Sequence, residues 1–495
     1  MKGKRRWWSV AALLVLIAGV AALGAAGSAR ADDPGNFTYQ VHPFVQQVDT
    51  PRAPATFTSP YCSTRTVNGV TAPTLVCYAP ADIKKAYDYP SGLDGTGQTI
   101  VIVDAYGSPT VQEDLAAFDA QFGLPAPPGG LQVICPSGCP NTTITNAPQA
   151  VVSWNEETSL DVQWAHAMAP GAKLVLAVAP TPHGDAINSV EAKIFANPAY
   201  RGAIVSQSFG QPEFLIHNNN AQVLQGISNY QLARANGLTV LASAGDFGAT
   251  NTSTIQNAAF PASDPDVLAI GGTQGDPYFN GRAAAGVQFS PLPICLANTS
   301  CTLGLATVKC TTTVTPGPTT AATAVCPTVS YGGEQTWNED FIPGGAATGG
   351  AASLFFPAPD YQAADGSGNA MRTIPDLSYN AAISGGVLVH LSFLPGLPPG
   401  GAFFIFGGTS AGSPQMSAVI ALANQMRGHD LGFLNDKIYS IAEGSSYSSN
   451  FHDITIGDNK LLGTPSGNSA GTGYDLATGW GTPDVSNLVS SLASK

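Results

Sequence analysis

Short apolar runs and longer stretches of helical period alternate through the first half of the chain. Thr99 to Asp104, Leu174 to Val178, Ile204 to Ser208 and Thr239 to Ala242 are compact apolar runs of the kind buried on both faces of a sheet. Pro109 to Phe122, Asp185 to Ala196 and Gln222 to Ala235 read as helices between them. Strands alternating with helices predict right-handed β-α-β units: an α/β fold with a parallel β-sheet covered by helices on both faces. A core of this size fits one large domain. Further on, a strand-like run, Gly401 to Phe406, leads through a Gly/Ser turn into a helix-like run, Gln415 to Met426. The pattern breaks over about 288–328, a Thr/Pro/Ala-rich stretch with four of the eight cysteines, expected to be a disulfide-stapled surface insertion. No internal repeat or heptad is present.

The first 31 residues change the picture of where the protein works. Met1 to Trp8 is basic, Ser9 to Gly27 is apolar, and Ala29-Arg30-Ala31 is a small-x-small cleavage site. The alternative is an uncleaved anchor, since the apolar run nears spanning length. Residues 1–31 are read as a signal peptide, which predicts a secreted, extracellular protein with no stable membrane association after its removal. Residues 32–77 form a short leader, loose or extended where Asn36 to Ser59 is Pro/Thr-rich, and the catalytic domain is expected over 78–495.

Five of the 20 basic residues (Lys2, Lys4, Arg5, Arg6, Arg30) and no acidic one lie in the signal, so the remainder carries 15 basic against 33 acidic residues, net −18. Such a surface disfavours nucleic acid and anionic membranes. In acid it loses most of its negative charge and gains little positive self-repulsion. A monomer is expected. The cysteines fall in four local pairs (Cys62 and Cys77, Cys135 and Cys139, Cys295 and Cys301, Cys310 and Cys326), and an exported chain with an even count reads as disulfide-bearing. Sequential pairing is expected, because each pair closes a short loop.

Three segments carry candidate chemistry. Ser410, in Gly407-Gly408-Thr409-Ser410-Ala411-Gly412-Ser413-Pro414, stands where free N–H groups at a helix start favour developing negative charge. Glu157 and Asp161 are four apart and share one face of a helix; acids that close raise each other's pKa, which suits one of them to proton transfer in acid. Asp246, in Ser243-Ala244-Gly245-Asp246-Phe247-Gly248, follows an apolar strand, where α/β proteins place ligands. Taken singly, these segments also read as a helix cap, a solvated acidic face and an Asx-turn. A fourth feature is His452-Asp453-Ile454 followed by Gly471-Thr472-Gly473-Tyr474-Asp475. Two aspartates and a glycine-rich loop offer hard oxygen ligands of the kind calcium takes, and alone they also read as a Gly/Asp turn.

In this order, the segments resemble the sedolisin family of serine-carboxyl peptidases, from about Tyr78 to Asp484. Further stretches that resemble the family are Ser206-Gln207-Ser208-Phe209-Gly210, Phe260-Pro261-Ala262-Ser263 through Gly271-Gly272-Thr273, and Arg372-Thr373-Ile374-Pro375-Asp376. The resemblance implies a subtilisin-like fold and an acid-active endopeptidase acting on polypeptides. Ser410 would be nucleophile, Glu157 general base, Asp161 its partner and Asp246 a protonated oxyanion donor. Ser206 to Gly210 would form an edge strand that pairs with substrate through Ser206 and Gly210. One structural Ca2+ would be held by the side chains of Asp453 and Asp475 and the carbonyls of Ile454, Gly471 and Gly473.

Two rival mechanisms and one rival class remain in view. A subtilisin-like Ser-His-Asp triad would use Asp104 and His166, but no His-Gly-Thr-His type of segment is present. A Gly-x-Ser-x-Gly esterase would need an acid and then a histidine downstream, and His452, beside Asp453, is the one histidine after Asp430. A catalytically inactive binding protein with the same fold is the third. About fifty residues lie between the signal and the expected catalytic domain, short for the large prosegment such enzymes usually carry. Unaided folding, a separate helper or activity on export would each accommodate that.

Overall fold

The structure is a computed structural model that describes residues 36–47, 61–67, 70–140, 147–216, 218–275, 294–296, 300–303, 306–309, 333–340, 342, 344–383 and 385–494. Residues 1–31, expected to be a signal peptide, and most of the expected 288–328 insertion lie outside the described residues. Within the insertion, Ile294–Leu296, Ser300–Leu303 and Ala306–Lys309 form a small antiparallel sheet.

The alternating apolar runs become one sheet. Its strands lie in the order Glu334–Thr336, Leu268–Gly275, Thr239–Ser243, Ile204–Gln207, Thr99–Ala105, Lys173–Ala179, Gln132–Ile134, with Leu377–Asn380 also pairing Leu268–Gly275. All neighbours are parallel except the edge strand Glu334–Thr336. Alternate side chains feed two cores. Ile100, Ile102, Leu174, Leu176 and Leu241 enter one with the helices Gln149–Met168 and Gly412–Arg427. Val101, Val103, Val175, Ala177 and Val240 enter the other with Gly184–Phe195 and Ala221–Ala235. From Thr99–Ala105 the chain goes out to the edge strand Gln132–Ile134, returns to Lys173–Ala179 and then crosses to Ile204–Gln207 on the other side, so the carboxyl end of Thr99–Ala105 lies at the switch point where open α/β sheets place ligands.

A second sheet, in the order Phe44–Gln47, Ala402–Gly407, Gly386–Leu391, Val70–Tyr78, Tyr61–Val67, was not foreseen. The strand leading to Ser410 belongs here, antiparallel to both of its neighbours, and not to the parallel sheet. Leader residues are therefore part of the fold, and the expected boundary at 77/78 falls inside the Val70–Tyr78 strand.

The helix Gln149–Met168 is clasped between the two sheets. Gln163 exchanges two hydrogen bonds with the backbone of His390, and Trp164 Nε1 donates to Leu388 O at 2.8 Å. Every residue from Trp154 to Met168 is buried. Elsewhere in the core Arg372 makes two 2.6 Å bonds to Asp376, which also accepts from Tyr439 Oη and the Ala269 N–H. Cys135 and Cys139 are bonded as expected, and Cys77 is also in a disulfide.

Candidate active site

Ser410 sits in a turn of 3-10 helix, Thr409–Ala411, between the strand Ala402–Gly407 and the helix Gly412–Arg427. Gly408 makes the sharp entry possible. Its φ is 113°, and a Cβ there would stand 2.9 Å from Asp246 Oδ2. Ser410 is 4% exposed, and its Oγ lies 3.5 Å from the carbonyl oxygen of Ser208.

Glu157 and Asp161 do share a face of one helix, but the face is not solvated: both are fully buried. Ser208 Oγ donates to Asp161 Oδ1 at 2.9 Å. Asp104, at the carboxyl end of the central strand, completes a trio of acids. Neither oxygen of Asp104, neither oxygen of Glu157, nor Asp161 Oδ2 has a hydrogen-bond partner among the described residues. Burial pushes Glu157 well above the ordinary carboxyl range; the Ser410 hydroxyl opposes this, and Asp104, Asp246 and Glu156 add to it. Asp161 is raised by burial, then by Asp104 and Glu157, against the pull of Ser208. Burial raises Asp104 against the Thr158 hydroxyl. Three acids so placed share protons under conditions in which exposed carboxyls are ionised.

Asp246 follows the strand Thr239–Ser243, as its position in sequence implied. Its Oδ1 accepts from the Thr409 N–H at 2.8 Å and from Thr409 Oγ1 at 2.7 Å, which ties it to the nucleophile turn. Burial raises its pKa to about 6 against those two bonds. With Oδ1 occupied as acceptor, Oδ2 is the oxygen left to carry the proton.

The edge-strand expectation needs correction. Ser206 lies in an interior strand, paired on one side with Ile102 and on the other with Leu241, and its hydroxyl meets Ser413 Oγ at 2.9 Å. Its backbone is taken by the sheet. Gly210, beyond the strand end, has its backbone turned outward, where Gln40 of the leader pairs with it. The residue of that motif which reaches the acids is Ser208. Strand alternation points Ser206 and Ser208 the same way, and only the strand's end, invisible in the motif, tells them apart. His166 is engaged elsewhere: its Nε2 meets Pro125 O at 2.7 Å and Asp119 Oδ1 at 3.4 Å.

The C-terminal segments do come together. The Gly473 N–H lies 3.1 and 3.2 Å from the two oxygens of Asp453, and the Gly471 N–H donates to Asp475 Oδ2 at 2.9 Å. Tyr447 Oη donates to Asp453, and its pKa is raised by burial first, then by Asp453 and Asp475. Burial pushes Asp475 up to about 6, against donors from Gly471, Thr478 and Ala477. Among the described residues, no protein donor reaches the carbonyls of Ile454, Gly471 or Gly473. Two carboxylates and three free carbonyls form an all-oxygen donor set that fits a hard cation.

Residues 145–451 match the subtilase family. Kumamolisin of Bacillus sp. (strain MN-32) is 31% identical over 437 residues, covering 85% of this chain and 64% of the relative. Sedolisin of Pseudomonas sp. (strain 101) is 33% identical over 167 residues, 33% of this chain and 26% of the relative. The chain thus spans less than two thirds of the length of these curated relatives. The solved structure of Pseudomonas sedolisin, a serine-carboxyl proteinase complexed with two molecules of pseudo-iodotyrostatin, superposes with a TM-score of 0.64 at 23% identity, covering 84% of this chain and 98% of that one, a likeness of fold. By the match over its centre the chain belongs to the subtilase family, and among relatives it is similar to kumamolisin and to sedolisin.

Proposed function

We propose that this chain is a secreted, acid-active serine-carboxyl endopeptidase that cleaves polypeptides through an acyl-enzyme on Ser410. The observation that carries the reading is Glu157, sealed in the core beside the Ser410 hydroxyl with both oxygens free of other partners. Apo catalytic bonds are often long and tighten with substrate. Ser410 Oγ attacks the peptide carbonyl carbon as its proton passes to Glu157. Collapse of the tetrahedral species expels the amine, to which Glu157 returns the proton. Water then repeats the sequence on the ester. Burial, then Asp104, Asp246 and Glu156, hold Glu157 at a raised pKa, and Asp161, steadied by Ser208, stands on the same helix face as its partner. Asp246 donates from protonated Oδ2 to the oxyanion, which requires the neutral acid and hence pH below about 6.

The targeting signature in residues 1–31 supports secretion. No helix among the described residues is long and apolar enough to cross a membrane. One structural Ca2+ belongs to this reading, held by the Asp453 and Asp475 side chains and the carbonyls of Ile454, Gly471 and Gly473; when bound it would cross-link the two C-terminal segments.

Turnover of one peptide from pH 3 to 7 tests the mechanism. Ser410→Ala and Glu157→Gln should each lose at least ~100-fold, and Asp246→Ala roughly 10²–10³-fold. Asp246→Asn keeps a donor that cannot ionise and should retain relatively more activity towards neutral pH. Full turnover in Glu157→Gln with loss in His166→Ala would transfer the mechanism to a Ser-His pair.

A further inference from the structure

We propose that Asn459 is a positioning residue for the oxyanion acid: from an excursion near the C-terminus it fixes both ends of the loop that carries Asp246. The proposal rests on the peptidase reading, and its test separates the two.

The loop 245–249 lies outside helix and strand, so its aim is set by what packs against it. Thr409 holds the Asp246 carboxyl by Oδ1, which orients the side chain but not the backbone beneath it. The backbone is held by residues 347–349. The Gly349 N–H donates to Gly245 O at 2.6 Å, the Ala347 N–H to Asp246 O at 3.0 Å, and the Gly248 N–H to Ala347 O at 2.9 Å. That strip is also irregular, and the excursion 457–470 stands behind it.

Asn459 is fully buried there. Its carbonyl oxygen accepts from the Ala249 N–H at 3.3 Å, at the far end of the Asp246 loop. Its Nδ2 donates to Gly350 O at 3.1 Å, one residue past Gly349 and so behind the near end. Asn468 Nδ2 donates to the same carbonyl at 2.9 Å, and the Asn468 N–H donates to Asn459 Oδ1 at 2.7 Å. The Asn459 amide is thus used in one sense, nitrogen to a carbonyl and oxygen to an N–H. Asn338 braces the excursion from outside, its Nδ2 donating to Asp458 O at 3.1 Å and to Lys460 O at 2.9 Å. The approach leaves no room for a side chain. Gly248 has a φ of 65°, and a Cβ there would collide with Asn459 O.

An oxyanion donor works only when it stands about 3 Å from where the charge develops. A shift of about 1 Å, caused from outside the site, can cost about 10²-fold. Asn459 touches no reacting atom, so its influence on turnover passes through the aim of Asp246.

Steady-state kinetics of one peptide from pH 3 to 6, with amide exchange on the full chain, test this. Asn459→Ala should lower kcat roughly 10–100-fold with KM within about 2-fold, because a misaimed donor weakens the transition state alone. Added to Asp246→Ala, it should cost at most ~2-fold more, since the group it aims is already gone. Asn459→Asp keeps the shape. Protonated, it still donates to Gly350 O; ionised, it sets oxygen against oxygen. Its kcat relative to wild type should be highest at pH 3 and fall at least ~10-fold by pH 6. Leu462→Ser, on the exposed part of the excursion, should behave as wild type. The Ala249 and Gly349 amides should exchange slowly in wild type and faster in Asn459→Ala. Wild-type kcat in Asn459→Ala would overturn the proposal. So would costs that multiply in the double variant, the mark of general loosening. Should Asn459→Ala fail to fold, Asn459→Asp decides: a ratio to wild type that stays constant with pH overturns the proposal. A wild type that cleaves nothing, with the amides responding as expected, would sink the peptidase reading and uphold the hold on the loop.

Discussion

Glu157 and Asp376 are both carboxylates in the core with no solvent exposure, and they differ in what meets them. Asp376 receives two bonds from Arg372, one from Tyr439 Oη and one from the Ala269 N–H, so its charge is matched and its lone pairs are filled. Glu157 receives none among the described residues and faces Asp104, Asp246 and Glu156, all of its own sign. Burying an unmatched acid costs stability, and the fold tolerates the cost where it produces a perturbed pKa beside a nucleophile. Depth alone therefore does not mark a site. Depth with missing partners does.

The largest expected effect breaks the comparison open. Asp376→Ala strands Arg372 without its counter-charge and should cost about 3–5 kcal/mol, read by denaturant melts, with activity lost through unfolding. Glu157→Gln should abolish turnover yet leave the melting midpoint unchanged or higher, because it removes an unpaired acid. Equal destabilisation by both would mean that Glu157 is a structural acid like Asp376.

The C-terminal pair Asp453 and Asp475 lies between these extremes, with N–H donors but, among the described residues, no salt bridge. If calcium binds there, saturation at about 100 times its Kd adds about 2.7 kcal/mol. Chelation, or Asp475→Ala, should lower the melting temperature and inactivate by unfolding. A melt indifferent to calcium and chelator would discard the ion.

A smaller effect sharpens the same contrast through pH. Asp246 titrates at about 6 in the fold against an ordinary 3.8, so the folded state holds its proton longer than the unfolded chain. Stability from this group is complete below the unfolded value and declines as pH rises towards about 6. The raised values of Glu157, Asp161 and Asp104 act in the same direction. Melting temperature should fall from pH 4 to pH 6 in wild type and fall less in Asp246→Asn.

Much of this was legible in the chain because it is local. The strands announce themselves by apolar runs, and Glu157 and Asp161 by a spacing of one helical turn. What stayed hidden depends on partners distant in sequence. The helix Gln149–Met168 reads as half-solvated, since nothing in it says that Gly386–Leu391 will cover its outer side. Ser206 was indistinguishable from Ser208 because both point one way along a strand whose end was unknown. The leader reads as loose because Pro- and Thr-rich composition describes an unpaired chain, whereas its order comes from Gly184, Gly210 and Gly407.

The double covering of that helix has an electrical consequence. Mobile ions screen charges they can approach, and two sheets keep them from Glu157, Asp161 and Asp104. Moving from dilute buffer to molar salt should therefore weaken the pull of the acidic exterior on cationic peptides while leaving the pH profile of kcat almost where it was.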